Sequence, residues 1–244
     1  MKRHIPNTIT CCNLICGCIA TIMAISGSPA MALLFIILGA VFDFFDGMSA
    51  RLLHVSSDIG KELDSLADDV TFGVAPASII FYELQVVDYP SFMEGTRTVL
   101  PYIAYLVAAF SAIRLAKFNL DTRQSTSFIG LPTPANALFW GSLIVGFGPT
   151  LEEYSCFMPL IIIGIFVSSW ILTAEIPMFA LKFKQWGFSG NEIKYLFVAF
   201  SAAVLVCSFM YGIVTETYNM CYAGFSVIIV AYVLVSIFTN KKAA

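Results

Sequence analysis

Charge is what this 244-residue sequence has least of. Asp, Glu, Lys and Arg together make up 12% of it, against 59% hydrophobic residues, and its mean hydropathy is +0.85. A soluble domain of this length needs far more charge to cover its surface, so one is excluded. Positive charge is scarcer still, and a net charge of -3 leaves no basic face for nucleic acid. The seven cysteines contain no C-x-x-C pair. Cys11, Cys12, Cys16, Cys18, Cys156, Cys207 and Cys221 therefore read as small apolar helix fillers, reduced on the cytoplasmic side, rather than as a metal site. Internal repeats, low-complexity tracts and connections long enough to hold a soluble domain are all missing. Residues 1–244 read as a single integral membrane domain.

What the sequence has is long apolar runs. A helix crosses a hydrocarbon core about 30 Å thick with roughly 20 residues. Backbone polar groups in lipid must be paired within helices or closed barrels, and uninterrupted runs without period-two alternation exclude a barrel. The expected fold is all-α and polytopic. Its eight spans lie at about 9–26, 30–51, 60–82, 99–118, 134–148, 156–174, 193–212 and 220–238. The fifth is short and ends at Gly146, Gly148 and Pro149. Lys2 and Arg3 ahead of the first run give it the outline of a cleaved signal. Asn13 inside the run, and Pro6-Asn7-Thr8 at its start, favour a retained helix with Asn or Thr as its cap.

Eight spans sort the basic residues. Lys2, Arg3, Arg51, Lys61, Arg114, Lys117, Arg123, Lys182, Lys184, Lys194, Lys241 and Lys242 fall on one side, and Arg97 alone on the other. Glu83, Asp88, Glu94, Glu152, Glu153 and Glu216 lie opposite. The positive-inside rule makes the basic side, with both termini, cytoplasmic. Seven spans would scatter these charges. The basic residues form a modest fringe facing anionic headgroups.

Against this background, Asp43 and Asp46 interrupt the second run, and Asp58, Asp64, Asp68 and Asp69 come soon after. An ionisable residue in a membrane helix costs several kcal/mol and marks a functional site by default. Asp58 and Asp69 read equally well as solvated loop residues. The other four do not, because Asp43 and Asp46 are three apart and Asp64 and Asp68 four apart, so each pair shares a helix face. A short loop lets the two faces meet. Four converging carboxylates repel unless cations lie between them. Hard oxygen ligands suit Mg²⁺ or Mn²⁺, which in turn hold phosphates. Gly47 and Gly60 leave the backbone open to a ligand, and Arg51 supplies a fixed cation for phosphate.

The full pattern, Asp43-x-x-Asp46-Gly47-x-x-Ala50-Arg51, eight residues, then Gly60-x-x-x-Asp64-x-x-x-Asp68, resembles the complete signature of the CDP-alcohol phosphatidyltransferases. Every fixed position matches. The resemblance implies a six-helix core, with which eight spans are compatible, and a homodimer in a bacterial or archaeal cytoplasmic membrane. It implies CDP-diacylglycerol as substrate and two divalent ions, Mg²⁺ or Mn²⁺, on Asp43, Asp46, Asp64 and Asp68. The cytidine diphosphate would lie against Asp43, Gly47, Ala50, Arg51 and Gly60, with Asn7 either reaching the diphosphate or only capping its helix. Asp68 would be the catalytic base.

A second stretch, "RLAKFNLDTRQSTSFIGLPTPANA" from Arg114 to Ala137, resembles the phosphatidylserine synthase branch of that family. Pro132 and Pro134 stop any helix there, and Gly130 permits a tight turn, so the loop can roof a polar cavity. L-Serine is then the expected acceptor, with Arg114 as partner for its carboxylate and Asn119 as the lesser candidate. Lys117 reads as an anchor that snorkels to the headgroups. Glycerol phosphate, inositol phosphate or choline would be the acceptor in other branches. From a different class, a cation transporter with intramembrane aspartates would fit the composition. Transporters show paired repeats, whereas these carboxylates occur once, at one face.

Overall fold

The computed structural model describes residues 4–55, 57–121, 128–178 and 191–240. Lys2, Arg3, Arg123, Lys182, Lys184, Lys241 and Lys242, which helped to orient the chain, lie outside them. Each of the eight expected spans meets one helical passage. Helices α1 (His4–Ile25) and α2 (Pro29–Leu53) come first. The third passage, 58–86, joins α3 (Asp58–Asp68), a π-helical turn (Asp69–Val74) and α4 (Ala75–Val86) without a break. A 3₁₀ segment (Leu100–Tyr105) runs into α5 (Leu106–Leu120). Helices α6 (Thr133–Glu153), α7 (Phe157–Thr173), α8 (Glu192–Val214) and α9 (Met220–Asn240) complete the order. Among the described residues, five passages are long and apolar enough to cross a membrane by length and composition: the first, second, fourth, seventh and eighth. The chain is an all-α polytopic membrane protein.

Local sequence explains most boundaries. Pro29 opens α2, where its missing N–H costs nothing. His54, in the left-handed region at φ 52°, ends it. Ser57 caps α3, its Oγ accepting the Gly60 N–H at 3.0 Å. Two expectations are corrected. Asn7 does not cap α1, because the helix has already begun at His4 and Thr8 Oγ1 donates back to the His4 carbonyl at 2.8 Å. Pro149 does not stop α6, which continues to Glu153. A proline removes one backbone hydrogen bond, and packed neighbours in a membrane bundle let a helix tolerate the loss.

The core lies where α1, α2, α4 and α6 meet, around Ala20, Ala24, Ile36, Phe72, Ile79 and Trp140. Trp140 Nε1 donates to Ser168 Oγ of α7 at 3.0 Å. Large apolar side chains such as Ile15, Ile22, Phe166, Trp170, Val206 and Phe209 are exposed, which suits contact with lipid. Two short strands, β1 (Phe128–Ile129) and β2 (Pro177–Met178), pair antiparallel and tie the segment before α6 to the end of α7. Gly130 N–H and Leu131 N–H extend the tie by donating to Ile176 O at 2.9 Å and Ile171 O at 3.1 Å. Gly130 has φ +76°, and the carbonyl of Leu172 occupies the space a side chain would need.

Close packing around Thr71 fixes how α1 and α2 meet the π turn. Thr71 Oγ1 donates to the Asn13 carbonyl at 3.0 Å, and Gly17 lies directly against Thr71. A methyl group at Gly39 would sit 2.5 Å from Thr71 Cγ2 and 2.9 Å from Asn13 Oδ1, whereas one at Gly47 would meet nothing within 4 Å. Gly39→Ala should therefore destabilise the fold by about 1–3 kcal/mol, and Gly47→Ala, which meets no neighbour, should cause no loss of stability. Thermal unfolding of both variants in detergent checks this; equal midpoints would show that the junction is not tightly packed.

Candidate active site

The second and third passages carry their aspartates to a common place. Asp43, Asp64 and Asp68 each present a carboxylate oxygen within 4.8 Å of the others. Asp43 comes from the second half of α2, and the other two from successive turns of α3. The π turn begins directly after Asp68. Such a turn inserts an extra residue into the helix and rotates the facing of every later residue, so α3 can aim its carboxylates inward while α4 buries a different set.

Asp46 stands beside this cluster. It is buried and accepts a hydrogen bond from Thr10 Oγ1 at 2.6 Å. Asp68 Oδ1 accepts from the amide of Asn13 at 3.1 Å. Asp64 Oδ1 is buried without a hydrogen-bond partner. Hard oxygens at this separation, one of them lacking a donor, fit a divalent cation such as Mg²⁺ or Mn²⁺.

A cavity of about 260 Å³ adjoins the cluster, walled by α1, α2 and α3. Asn7, Asp46, Gly47, Ala50, Gly60 and Asp64 line it, so most residues of the signature face one space. Gly47 has open space where a side chain would project, and a methyl group at Gly60 would press on Ser57 Oγ and Asn7 Oδ1. Both glycines leave the backbone accessible to a ligand.

Other expected residues lie elsewhere. Arg51 is exposed, and its Nε donates to the Gly47 carbonyl at 2.9 Å along its own helix. Asp58 is the exposed first residue of α3, where a negative charge suits the helix N-terminus. Asp69 is partly buried in the π turn. Asn119 braces the bundle: its Nδ2 donates to Ser65 Oγ at 2.7 Å, and its carbonyl accepts from Lys61 Nζ at 3.1 Å. Arg114 is 7% exposed, stacks at 5.2 Å over the Phe118 ring, and is within electrostatic reach of Asp68.

Sequence reasoning missed the part played by α1. Thr10 and Asn13 hold two of the aspartates, and Lys61 joins the cavity wall. A signal for the first two existed. Asn7, Thr10 and Asn13 recur every three residues, which places them on one face of an apolar helix.

The comparisons agree with this geometry. Residues 3–181 match the family model described as CDP-alcohol phosphatidyltransferase. A Bacillus subtilis protein named CDP-diacylglycerol–serine O-phosphatidyltransferase is 42% identical over 136 residues, 54% of this chain and 70% of that protein. A protein of that name from Helicobacter pylori strain J99 is 37% identical over 135 residues, 54% of each chain. One from Mycobacterium tuberculosis strain H37Rv is 28% identical over 235 residues, 91% of this chain and 78% of that protein. With the family model matched from the start of α1 to beyond α7, over both aspartate-bearing passages, this chain belongs to the CDP-alcohol phosphatidyltransferase family.

Proposed function

We propose that this enzyme transfers the phosphatidyl group of CDP-diacylglycerol to the hydroxyl of L-serine, giving phosphatidylserine and CMP. The observation that carries the reading is the carboxylate cluster of Asp43, Asp64 and Asp68, which meets through Asp64 a cavity also lined by Asp46, Gly47 and Gly60. Serine as acceptor rests on the names of the relatives and on the Arg114–Ala137 stretch.

In this reading the serine oxygen attacks the β-phosphorus of CDP-diacylglycerol. A new P–O bond forms, the bond to CMP breaks, and the hydroxyl proton passes to Asp68. The Asn13 amide fixes that carboxylate from one side and leaves its other oxygen for the proton. Asp46, anchored by Thr10, keeps its place beside the cavity. Gly47, Ala50 and Gly60 admit the diphosphate, Asn7 is within its reach, and Arg51 adds positive charge at the rim. Asp43, Asp46, Asp64 and Asp68 would hold two Mg²⁺ or Mn²⁺ ions, whose chemistry is to neutralise charge on the diphosphate as the bond to CMP breaks. Arg114 takes the serine carboxylate, with Asn119 in a bracing position nearby.

We place the enzyme in a bacterial or archaeal cytoplasmic membrane, with this site on the cytoplasmic side. Arg51, Lys61, Lys117 and Lys194 fall near the ends of α2, α3, α5 and α8, and the alternation of basic and acidic helix ends along the chain supports this orientation. We also read it as a homodimer and a single membrane domain. Crosslinking in native membranes should give a species of twice the chain mass, and a monomer alone would exclude the dimer.

CMP release from CDP-diacylglycerol should require added serine, and release that is equal with glycerol phosphate would reject this acceptor. Asp68→Asn should bind CDP-diacylglycerol nearly as the wild type does while turnover falls by about 10²-fold or more. Asp64→Asn should instead weaken metal and substrate binding together. Equal binding losses in the two variants would count against a dedicated base at Asp68. For orientation, Ser57→Cys in intact cells should resist impermeant thiol reagents, and labelling from outside would invert the topology.

A further inference from the structure

At the far end of the third passage from the aspartates, a second pair of carboxylates meets. Glu83 lies in the last turn of α4 and Glu152 in the last turn of α6. Glu83 is 1% exposed, whereas Glu152 is open to solvent. Glu83 Oε2 and Glu152 Oε1 both lie 3.9 Å from the point where a side chain on Gly148 would begin, so the glycine leaves one space open to both. Along the helical passage from Asp64 to Glu83, at about 1.5 Å per residue, the separation is roughly 28 Å, so this pair is distinct from the aspartate cluster.

Each acid stands at the unfavourable end of its helix. A helix C-terminus carries partial negative charge, which favours Lys, Arg or His there and disfavours Asp and Glu. Neither α4 nor α6 has a basic residue in its last turn. Arg97, the basic residue assigned to this side, is engaged elsewhere. It donates to Glu94 Oε1 at 3.2 Å and to the Gln85 carbonyl at 3.4 Å, and it lies over the Tyr89 ring at 5.2 Å. Glu83 Oε1 is buried with no hydrogen-bond partner among the described residues. Protonation would remove the charge of Glu83 and still leave that oxygen without a partner. A third oxygen is close at hand in α6. Pro149 has no N–H, so the buried Val145 carbonyl, one turn back, lacks the donor that residue 149 would otherwise give.

We propose that Glu83 and Glu152, with the Val145 carbonyl, hold a hard divalent cation that clamps α4 to α6. Carboxylate and carbonyl oxygens, with water completing the shell, are the ligands such a cation takes. An uneven donor set of this kind suits Ca²⁺, which accepts flexible geometry, better than Mg²⁺, which demands an octahedron. The buried Glu83 anchors the ion, and the exposed Glu152 gives it a way in. The cation also cancels the negative ends of the two helices. It takes no part in the reaction, so the clamp does not depend on which alcohol is the acceptor. Because the two acids meet only when α4 and α6 are packed, the ion binds the folded chain and stabilises it.

The experiment uses the full chain in detergent with Ca²⁺ alone as probe, counting bound ions by equilibrium dialysis and following thermal unfolding. Glu83→Gln should bind about one ion per chain fewer than the wild type, and Ca²⁺ should raise its unfolding midpoint less. A single cooperative transition in ion-free buffer shows that the variant is folded. If Glu83→Gln does not fold, Glu152→Gln decides, since an exposed position tolerates the change. Glu152→Gln should weaken the same ion by about 10-fold, as expected for loss of one charged ligand. Asp64→Asn is the reverse control: it should disturb ions at the aspartate cluster and keep this one. A wild-type ion count in Glu83→Gln overturns the clamp, as does wild-type Ca²⁺ affinity in Glu152→Gln. Loss of every bound ion in Asp64→Asn overturns it too. A raised unfolding midpoint in Glu83→Gln with no ion lost assigns a proton to Glu83 and overturns the cation.

Discussion

Repulsion among Asp43, Asp64 and Asp68 is the constraint on which the rest of this structure depends. Three carboxylates with oxygens inside 4.8 Å would push their helices apart unless a cation lay among them and the scaffold resisted the strain. The scaffold resists by packing backbones rather than long side chains. Gly17 and Gly39 let α1 and α2 close on Thr71, and the Thr71 hydroxyl ties the π turn to α1. Small residues are how membrane helices approach closely, because lipid supplies little hydrophobic force between them. The same approach places Thr10 and Asn13 within hydrogen-bond distance of Asp46 and Asp68. The helix that carries no acid therefore holds two acids in place.

The aspartates were legible in the sequence because two physical filters act on them together. Charge is expensive in an apolar run, and only a helix turns residues three or four apart onto one face. The eight passages were legible for a related reason, since backbone pairing in lipid leaves few alternatives. The contribution of α1 was harder to see. Thr and Asn carry no charge to mark them, and their use depends on what the neighbouring helix presents. The cap expected at Asn7 and the stop expected at Pro149 failed because local signals were overruled by packing. The π turn left no signal in the sequence.

Long-range placement was the least legible part. Glu175 comes just after a helix end and has no spacing pattern, so nothing local distinguishes it from a solvated residue. Gly130 and Leu131 bond to the segment around it. The F-I-G-L-P stretch was read correctly as a tight turn at Gly130. Its partner, residues 171–178, could not be inferred from the turn itself.

The last two helices bear on the tie between β1 and β2. The family match ends at residue 181, before α8 and α9. Phe197 of α8 and Tyr232 of α9 pack with Leu131, Leu172 and Met178 into a second apolar cluster. That cluster backs the β1–β2 tie, and Tyr232 is also within electrostatic reach of Arg114. The two rings meet at 6.1 Å between centroids, and aromatic pairs of this kind add to the burial of their apolar area. The bundle thus divides its labour along the chain. Helices α1 to α3 hold the aspartates and the cavity beside them. The β1–β2 tie holds the segment before α6 to the end of α7, and α8 and α9 buttress it from outside the region that the family model matches. Substitutions at Phe197 or Tyr232 act on that tie through packing, without touching the carboxylates.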